Sequence, residues 1–389
     1  MIKLLKNGTV YSPDFLGKKD VLIVDKRIAA IEDSIQFEES AYVEVLDVAG
    51  QIIVPGFIDN HVHIMGGGGE GSFRTRTPEL VLSDAIKGGI TTLVGVIGTD
   101  GTTRTMPSLI AKAKALKEEG ISCFVHTGSY QVPVKTLTGM IEDDLILIDE
   151  IIGVGEIAIA DHRSSQPSYE DIAKIAAAAR VGGMLSGKAG IVNMHLGDSA
   201  SKLSIIEEVI EKTEIPLRQF LPTHINRNRE LFAAGIKYAK KGGYVDFTTS
   251  SIAKFLEQGE TKCSVGLKEM LDQGVSIKQI TFSSDGQASL PEFDENGEFI
   301  GLQLGRVTSL YNEVKDAIRE QGVLPADALK VITENPAKVL RLASKGTIEV
   351  GKDADLVVLN ESSFEINSVI ALGQKMMWNK RLLVKGTFE

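Results

Sequence analysis

The sequence predicts an α/β fold, a (β/α)8 barrel with a small β-sandwich assembled from its N- and C-terminal segments. Three observations lead there. From residue 56 onward, short apolar runs alternate with longer amphipathic stretches about eight times, the layout of such a barrel. Before that point, and again after residue 339, the pattern is strand-like only. The chain has 389 residues and 43% hydrophobic content, enough to bury a large core and more than one simple domain needs. The expected division is residues 1–55 with 340–389 in the small domain and 56–339 in the barrel.

Taken in order, residues 21–24 and 42–48 read as short strands, with breaks expected at Asn7-Gly8, Asp25-Lys26 and Ala49-Gly50. The run 53–58 reads as the first barrel strand. Strand and helix then alternate: 91–97 with 108–119, 122–127 with 142–152, 156–160 with 169–181, and 190–195 with 203–212. The series continues with 220–223 and 230–241, 245–248 and 265–273, and a last strand at 280–283. Residues 346–350, 355–359 and 374–378 return to strand character, and no repeat or low-complexity tract interrupts the series.

Composition narrows the function. The chain carries 52 acidic against 42 basic residues, a formal net charge of −10, and lacks a Lys/Arg-rich run that would follow a phosphate backbone, so nucleic acid is excluded as a partner. The N-terminus has no signal-peptide pattern, and apolar runs such as 90–97 are too short to cross a bilayer, which predicts a cytoplasmic protein with no membrane partner. Cys123 and Cys263 are too few and too far apart for a disulfide framework or zinc clusters, and read as reduced core thiols.

The chemistry begins at Phe57-Ile58-Asp59-Asn60-His61-Val62-His63. Side chains two apart on a strand share a face, and at the C-terminal end of a barrel strand that face opens on the active site, so His61 and His63 form a metal-ligand pair. His195 and His224 each end an apolar run and fall at the same end of later strands, so four of the six histidines converge. Asp285, ending the run from Ile280, adds a carboxylate. His126 and His162 have no such partner and are expected outside the cluster.

Around these residues the segments PGFIDNHVHIMGGGGEG, GTD (98–100), TGSYQVP (127–133), DHR (161–163), MHLGDS (194–199), PTHINRN (222–228) and SSDG (283–286) appear in order, followed by GKDADLVVL (351–359). In these motifs the sequence resembles the isoaspartyl dipeptidases of the amidohydrolase superfamily, which split β-aspartyl dipeptides. The resemblance implies a homo-oligomer with two Zn2+ per subunit, manganese or another divalent metal being compatible with the same ligand types. His61, His63 and Asp285 would hold one ion and His195 and His224 the other. A hydroxide bridging the ions would attack the scissile carbonyl, with Asp285 as general base and then acid. Such relatives carry a carboxylated lysine between the metals. Here Glu156 occupies the matching position, and its carboxylate offers the same two oxygens and single charge.

The resemblance also assigns the substrate contacts. Glu70 would receive the substrate's α-ammonium, while Gly68 and Gly69 let the backbone approach it. Arg163 and Arg227 would hold the two carboxylates, Ser289 and Thr99 would add hydroxyl contacts, and Tyr130 would donate to the developing oxyanion. A cyclic-amide hydrolase of the dihydroorotase or hydantoinase type shares the barrel and metals, and is the alternative reading.

Overall fold

The computed structural model describes residues 2–37, 39–293 and 299–389. The N-terminal hairpin joins β1 (Ile2–Tyr11) to β2 (Phe15–Val24), which pairs with β3 (Arg27–Glu32). β4 (Val43–Asp47) and β5 (Gln51–Pro55) run parallel to the two ends of β1. The break expected at Asn7-Gly8 is instead a bulge inside β1, where the register with β2 slips between Leu5 and Gly8 and Asn7 takes φ 65°. A Cβ at Gly8 would lie 2.5 Å from Ile53 Cδ1, so any larger residue there would displace that side chain.

The run 53–58 is two strands rather than one. β5 ends at Pro55 in the terminal sheet, and β6 (Phe57–Val62) opens the barrel. Gly56 makes the passage, its N–H donating to Asp355 O at 2.8 Å, with no room for a Cβ against Thr91. The barrel continues through α1 (Leu82–Lys87), β7 (Ile90–Gly95), α2 (Met106–Glu118), β8 (Ser122–Thr127), α3 (Ile141–Leu147), β9 (Ile151–Ile159), α4 (Tyr169–Ser186) and β10 (Ile191–Leu196). It is completed by α5 (Ser204–Lys212), β11 (Phe220–Thr223), α6 (Arg229–Lys240), β12 (Val245–Thr248), α7 (Ala253–Glu257), α8 (Cys263–Asp272) and β13 (Ile280–Ser283). The helix expected over 142–152 stops at Leu147, and β9 starts at Ile151. Every residue of β9 is buried, so its apolar run has no alternation to distinguish strand from helix.

Strands β6 to β11 form one parallel sheet in chain order, and β12 pairs with β13. The ring closes through Ile225 N–H to Asp246 O (3.2 Å) on one side, and through Asp285 N–H to His61 O (3.1 Å) and His63 N–H to Gly286 O (2.9 Å) on the other. The hairpin β14 (Ser289–Phe293) and β15 (Phe299–Leu304) follows, then α9 (Ser309–Arg319), α10 (Pro325–Lys330) and α11 (Glu334–Val339).

Residues 346–350 are irregular, not the strand expected. Ile348 directs its backbone N–H and C=O to the Ser12 hydroxyl, at 2.8 and 2.9 Å, rather than to a ladder. β16 (Leu356–Asn360), β17 (Ile366–Ala371), β18 (Gln374–Trp378) and β19 (Arg381–Leu382) then complete a nine-stranded sheet, ordered β19-β18-β17-β16-β5-β1-β2-β3 with β4 beside β1. Leu5, Val21, Ile28, Leu356 and Ile370 share that sheet's own apolar cluster. Inside the barrel, Val94, Ile152, Ile191, Leu221, Val339 and Leu340 form a separate plug. No helix among the described residues is long and apolar enough to cross a membrane.

Candidate metal centre and active-site cavity

β6 is buried along its whole length and delivers His61 from its last turn of pleat, with His63 just beyond it. The Asn193 side-chain oxygen can only accept, so His61 Nδ1, 3.0 Å away, carries a proton, and Nε2 is the nitrogen turned toward the cluster. That Nε2 lies 3.3 Å from Glu156 Oε2 and 3.7 Å from Asp285 Oδ1. His63 Nε2 lies 3.0 Å from Asp285 Oδ1 and 3.5 Å from Glu156 Oε1.

Glu156 sits within β9 rather than at its end, and a bulge aims it inward. The register with β10 slips between Val192 and Met194, so that Gly155 and Glu156 together oppose Asn193. Only glycine fits at 155, because a Cβ would stand 2.6 Å from Asn193 O and φ is 138°. Glu156 thereby presents Oε1 toward His63 and Oε2 toward His195 Nδ1 (3.0 Å) and His224 Nε2 (3.8 Å). His224 and Asp285 both take left-handed backbone conformations, φ 64° and 52°, as the chain turns off β11 and β13. His195 Nδ1 and His224 Nε2 lie 2.9 Å apart. Their other ring nitrogens are held by Asp161 Oδ2 (3.1 Å) and Thr248 Oγ1 (2.5 Å).

Two sets of ligand atoms lie within 4.8 Å of one another: His61, His63 and Asp285, and His61, Glu156 and His224. Three of these inward atoms, His61 Nε2, Glu156 Oε1 and Asp285 Oδ1, are buried with no hydrogen-bond partner. Burial opposes ionisation of Glu156 and Asp285, yet the surrounding imidazoles hold both carboxyls well below the usual range. With only protein charges present, burial disfavours a cation at His61, but Glu156 overcomes it and raises the imidazole to about 10. His224 is lowered to about 3 by burial and then by His195. A buried site with two persistent anions and orphaned donor atoms calls for added positive charge, and imidazole and carboxylate donors suit divalent metal ions. The residues present therefore fit such a group.

Above the cluster opens a cavity of about 720 Å³. Gly68, Glu70, Thr99, Tyr130, Arg163, Arg227 and Ser289 all line it, whereas Gly69 does not. Gly68 has φ 66°, and a Cβ there would press on Thr75 O at 2.7 Å. Glu70 accepts from Thr99 Oγ1 (3.0 Å), Arg163 Nη1 (3.2 Å) and Ser289 Oγ (3.3 Å). The two arginines differ. Arg163 is clamped by Asp161 (2.8 Å) as well as Glu70, while Arg227 makes no ion pair among the described residues. The Tyr130 hydroxyl is 2.9 Å from His195 Nδ1, and burial, then Glu156, push its pKa well above 10, so it stays a donor. His162 is exposed at the cavity wall. His126 is buried with neither ring nitrogen partnered, and burial lowers it to about 3.

The sequence profile of the amidohydrolase family matches residues 52–387. The chain belongs to the amidohydrolase family. Among solved structures, this amidohydrolase is similar to a β-aspartyl dipeptidase from Fervidobacterium islandicum AW-1 in complex with a β-Asp-Leu dipeptide. Identity is 47%, the TM-score is 0.91, and 98% of each chain is covered. A second structure of β-aspartyl dipeptidase from that organism gives 44% identity and a TM-score of 0.88 over the same shares. A dihydroorotase from Lactobacillus gasseri is 25% identical over 92% of this chain and 89% of its own. A dihydroorotase from Staphylococcus epidermidis is 34% identical, but that match covers only 30% of this chain and 26% of the relative. These likenesses make the amidohydrolase a hydrolase, of a family whose buried histidine and carboxylate cluster suits divalent metal.

Several residues of this amidohydrolase's site escaped the sequence reading. Asn193 was within reach, since it precedes His195 by two residues on β10 and so shares its face. Thr248 ends β12 as the histidines end theirs. Asp161 lies in the DHR motif beside Arg163, whose guanidinium it holds. Asp246 lies beneath the cluster and accepts from Asn60 (3.1 Å), Thr223 (2.7 Å), Thr281 (2.6 Å) and Ser283 (2.5 Å). It thus ties together the strands that carry His61, His224 and Asp285. Glu260, on a loop after α7, lines the cavity and had no sequence signal.

Proposed function

We propose that this amidohydrolase hydrolyses β-aspartyl dipeptides to aspartate and a free amino acid, using two divalent ions per chain, zinc or manganese among the candidates. The observation that carries the reading is the meeting of Glu70, Thr99, Arg163 and Ser289 in the cavity above the histidine and carboxylate cluster, with Arg227 in the same cavity. A β-aspartyl dipeptide presents one ammonium and two carboxylates, which one acid and two guanidinium groups match in sign and number. The similar structure holding β-Asp-Leu supports the same reading.

His61, His63 and Asp285 would hold one ion and His195 and His224 the other, with Glu156 between them. Such a pair supplies a Lewis acid for the scissile carbonyl and lowers the pKa of a water toward neutrality. The chain's own residues do the rest. Glu70 accepts from the α-ammonium, and Arg163, whose Nε and Nη2 are held by Asp161, offers Nη1 to the neighbouring carboxylate. Arg227 takes the carboxylate of the leaving residue. Tyr130, kept protonated, donates to the oxygen on which negative charge develops. Asp285 accepts a proton as water adds to the carbonyl carbon and returns it to the leaving nitrogen as the C–N bond breaks.

The test is a panel of β-Asp-Leu, α-Asp-Leu and dihydroorotate. Turnover of the β-linked dipeptide alone is expected. Turnover of dihydroorotate alone would move the assignment to a cyclic-amide hydrolase, the reading that the dihydroorotase relatives favour.

A further inference from the structure

The cavity's charges do not balance once a dipeptide is placed in it. Arg163 is already committed to Asp161 and Glu70. Of the remaining lining groups, Arg227 has Glu260 as an acidic neighbour, and neither Glu260 nor Asp198, the other acid of the wall, forms an ion pair among the described residues. Glu260 is the more enclosed. It follows α7, its N–H donating to Phe255 O at 3.0 Å, so its side chain enters the cavity beside Phe255 and Gln258. Burial raises its carboxyl to about 7, with Ser251 and Arg227 as the polar neighbours that counter the rise. When the leaving residue's carboxylate takes Arg227, that guanidinium no longer offsets Glu260, which lines the same cavity as Arg227.

We infer that Glu260, with Phe255 and Gln258, forms a subsite for the leaving residue's side chain that selects a cationic one, so that β-Asp-Lys and β-Asp-Arg are preferred to β-Asp-Glu. The inference rests on the dipeptidase reading and deepens it. A lysine or arginine stem packs along the Phe255 ring and brings its charge to Glu260, replacing the positive charge that the substrate's carboxylate has drawn away. A glutamate side chain in the same place meets Glu260 with like charge. Arg227 and Glu260 are thus read by opposite ends of one amino acid.

The experiment compares kcat/KM for β-Asp-Lys and β-Asp-Glu in the metal-loaded wild type and in Glu260→Gln. The wild-type ratio is expected to favour lysine by about tenfold or more, the size of one charge-assisted contact, and the variant's ratio to fall toward one. If Glu260 only serves as counter-ion to Arg227, the substitution changes both substrates by the same factor and leaves the ratio where it was, which overturns the inference while leaving the dipeptidase reading intact. Turnover of β-Asp-Leu but of neither charged dipeptide overturns the inference alone, and failure to cleave all three overturns the dipeptidase reading as well.

Discussion

The same barrel strands end in chemistry on one side and begin in packing on the other. On β9 Ile152 precedes Glu156, on β10 Ile191 precedes His195, and on β11 Leu221 precedes His224. The earlier residues form an apolar plug with Val339 and Leu340, while the later ones belong to a cluster in which His61 Nε2, Glu156 Oε1 and Asp285 Oδ1 lack partners. At a strand rise of about 3.3 Å per residue the two environments are little more than ~10 Å apart. The polar knot around Asp246 lies at the join, with every oxygen of that carboxylate satisfied by hydroxyl or amide donors. The plug optimises what is already in the molecule, whereas the cluster leaves valence open for what is not.

Substitutions at the two ends should separate along this line. The largest effect is expected at Glu156, whose two oxygens face different histidines. Glu156→Ala should lose at least one equivalent of metal, and activity with it, by direct metal analysis. Because the carboxylate needs no modification, wild-type apoprotein should recover full metal and rate from zinc in bicarbonate-depleted buffer. A bicarbonate requirement would show that another group bridges the ions. Next, Asp285→Asn should keep most of its metal and lose roughly two to four orders of magnitude in kcat, since an amide oxygen still coordinates but takes no proton. Retained activity would assign proton transfer elsewhere.

Tyr130→Phe should lower kcat by about 10²-fold with a smaller change in KM, the mark of a lost oxyanion donor. A raised KM at normal kcat would make it a binding residue only. Glu70→Gln should reduce kcat/KM for β-aspartyl dipeptides by about tenfold or more, as a charge-assisted bond of roughly 1.5–3 kcal/mol weakens. At the apolar end, Leu221→Ala should cost about 2–5 kcal/mol of stability in denaturant titration yet leave kcat per folded molecule unchanged. A fall in kcat there would mean that the plug and the cluster are mechanically coupled.

The histidine cluster was legible because it depends on a local rule: apolar strand, then ligand, with a period of two for His61 and His63. What it could not yield were contacts made across the barrel. Asp161, Thr248 and Asp246 act on residues from other strands, and a polar side chain in Val245-Asp246-Phe247-Thr248 reads as half-exposed although it points into the interior. The misread elements share another cause. β9 is buried on all sides and loses its alternation, and the run 53–58 is apolar throughout although Gly56 divides it between two sheets. Ile348 looks like strand because it is apolar and buried, but it is anchored by one serine hydroxyl.

The pairing of β5 with β16 carries a consequence for how the molecule is made. Leu356 lies opposite Pro55 and Asn360 opposite Gln51, so neighbours in that sheet are separated by most of the chain. As the polypeptide leaves the ribosome, the edge of β5 that will receive β16 has no ladder partner until nearly the whole barrel has been synthesised. Closing so long a loop costs only slowly growing entropy, but the waiting time grows with every residue translated. Throughout that interval Ile52 and Val54 lie on an unpaired strand edge, the kind of surface at which nascent chains associate with one another. Chaperone dependence during synthesis would then track the length of the barrel rather than the stability of the finished enzyme.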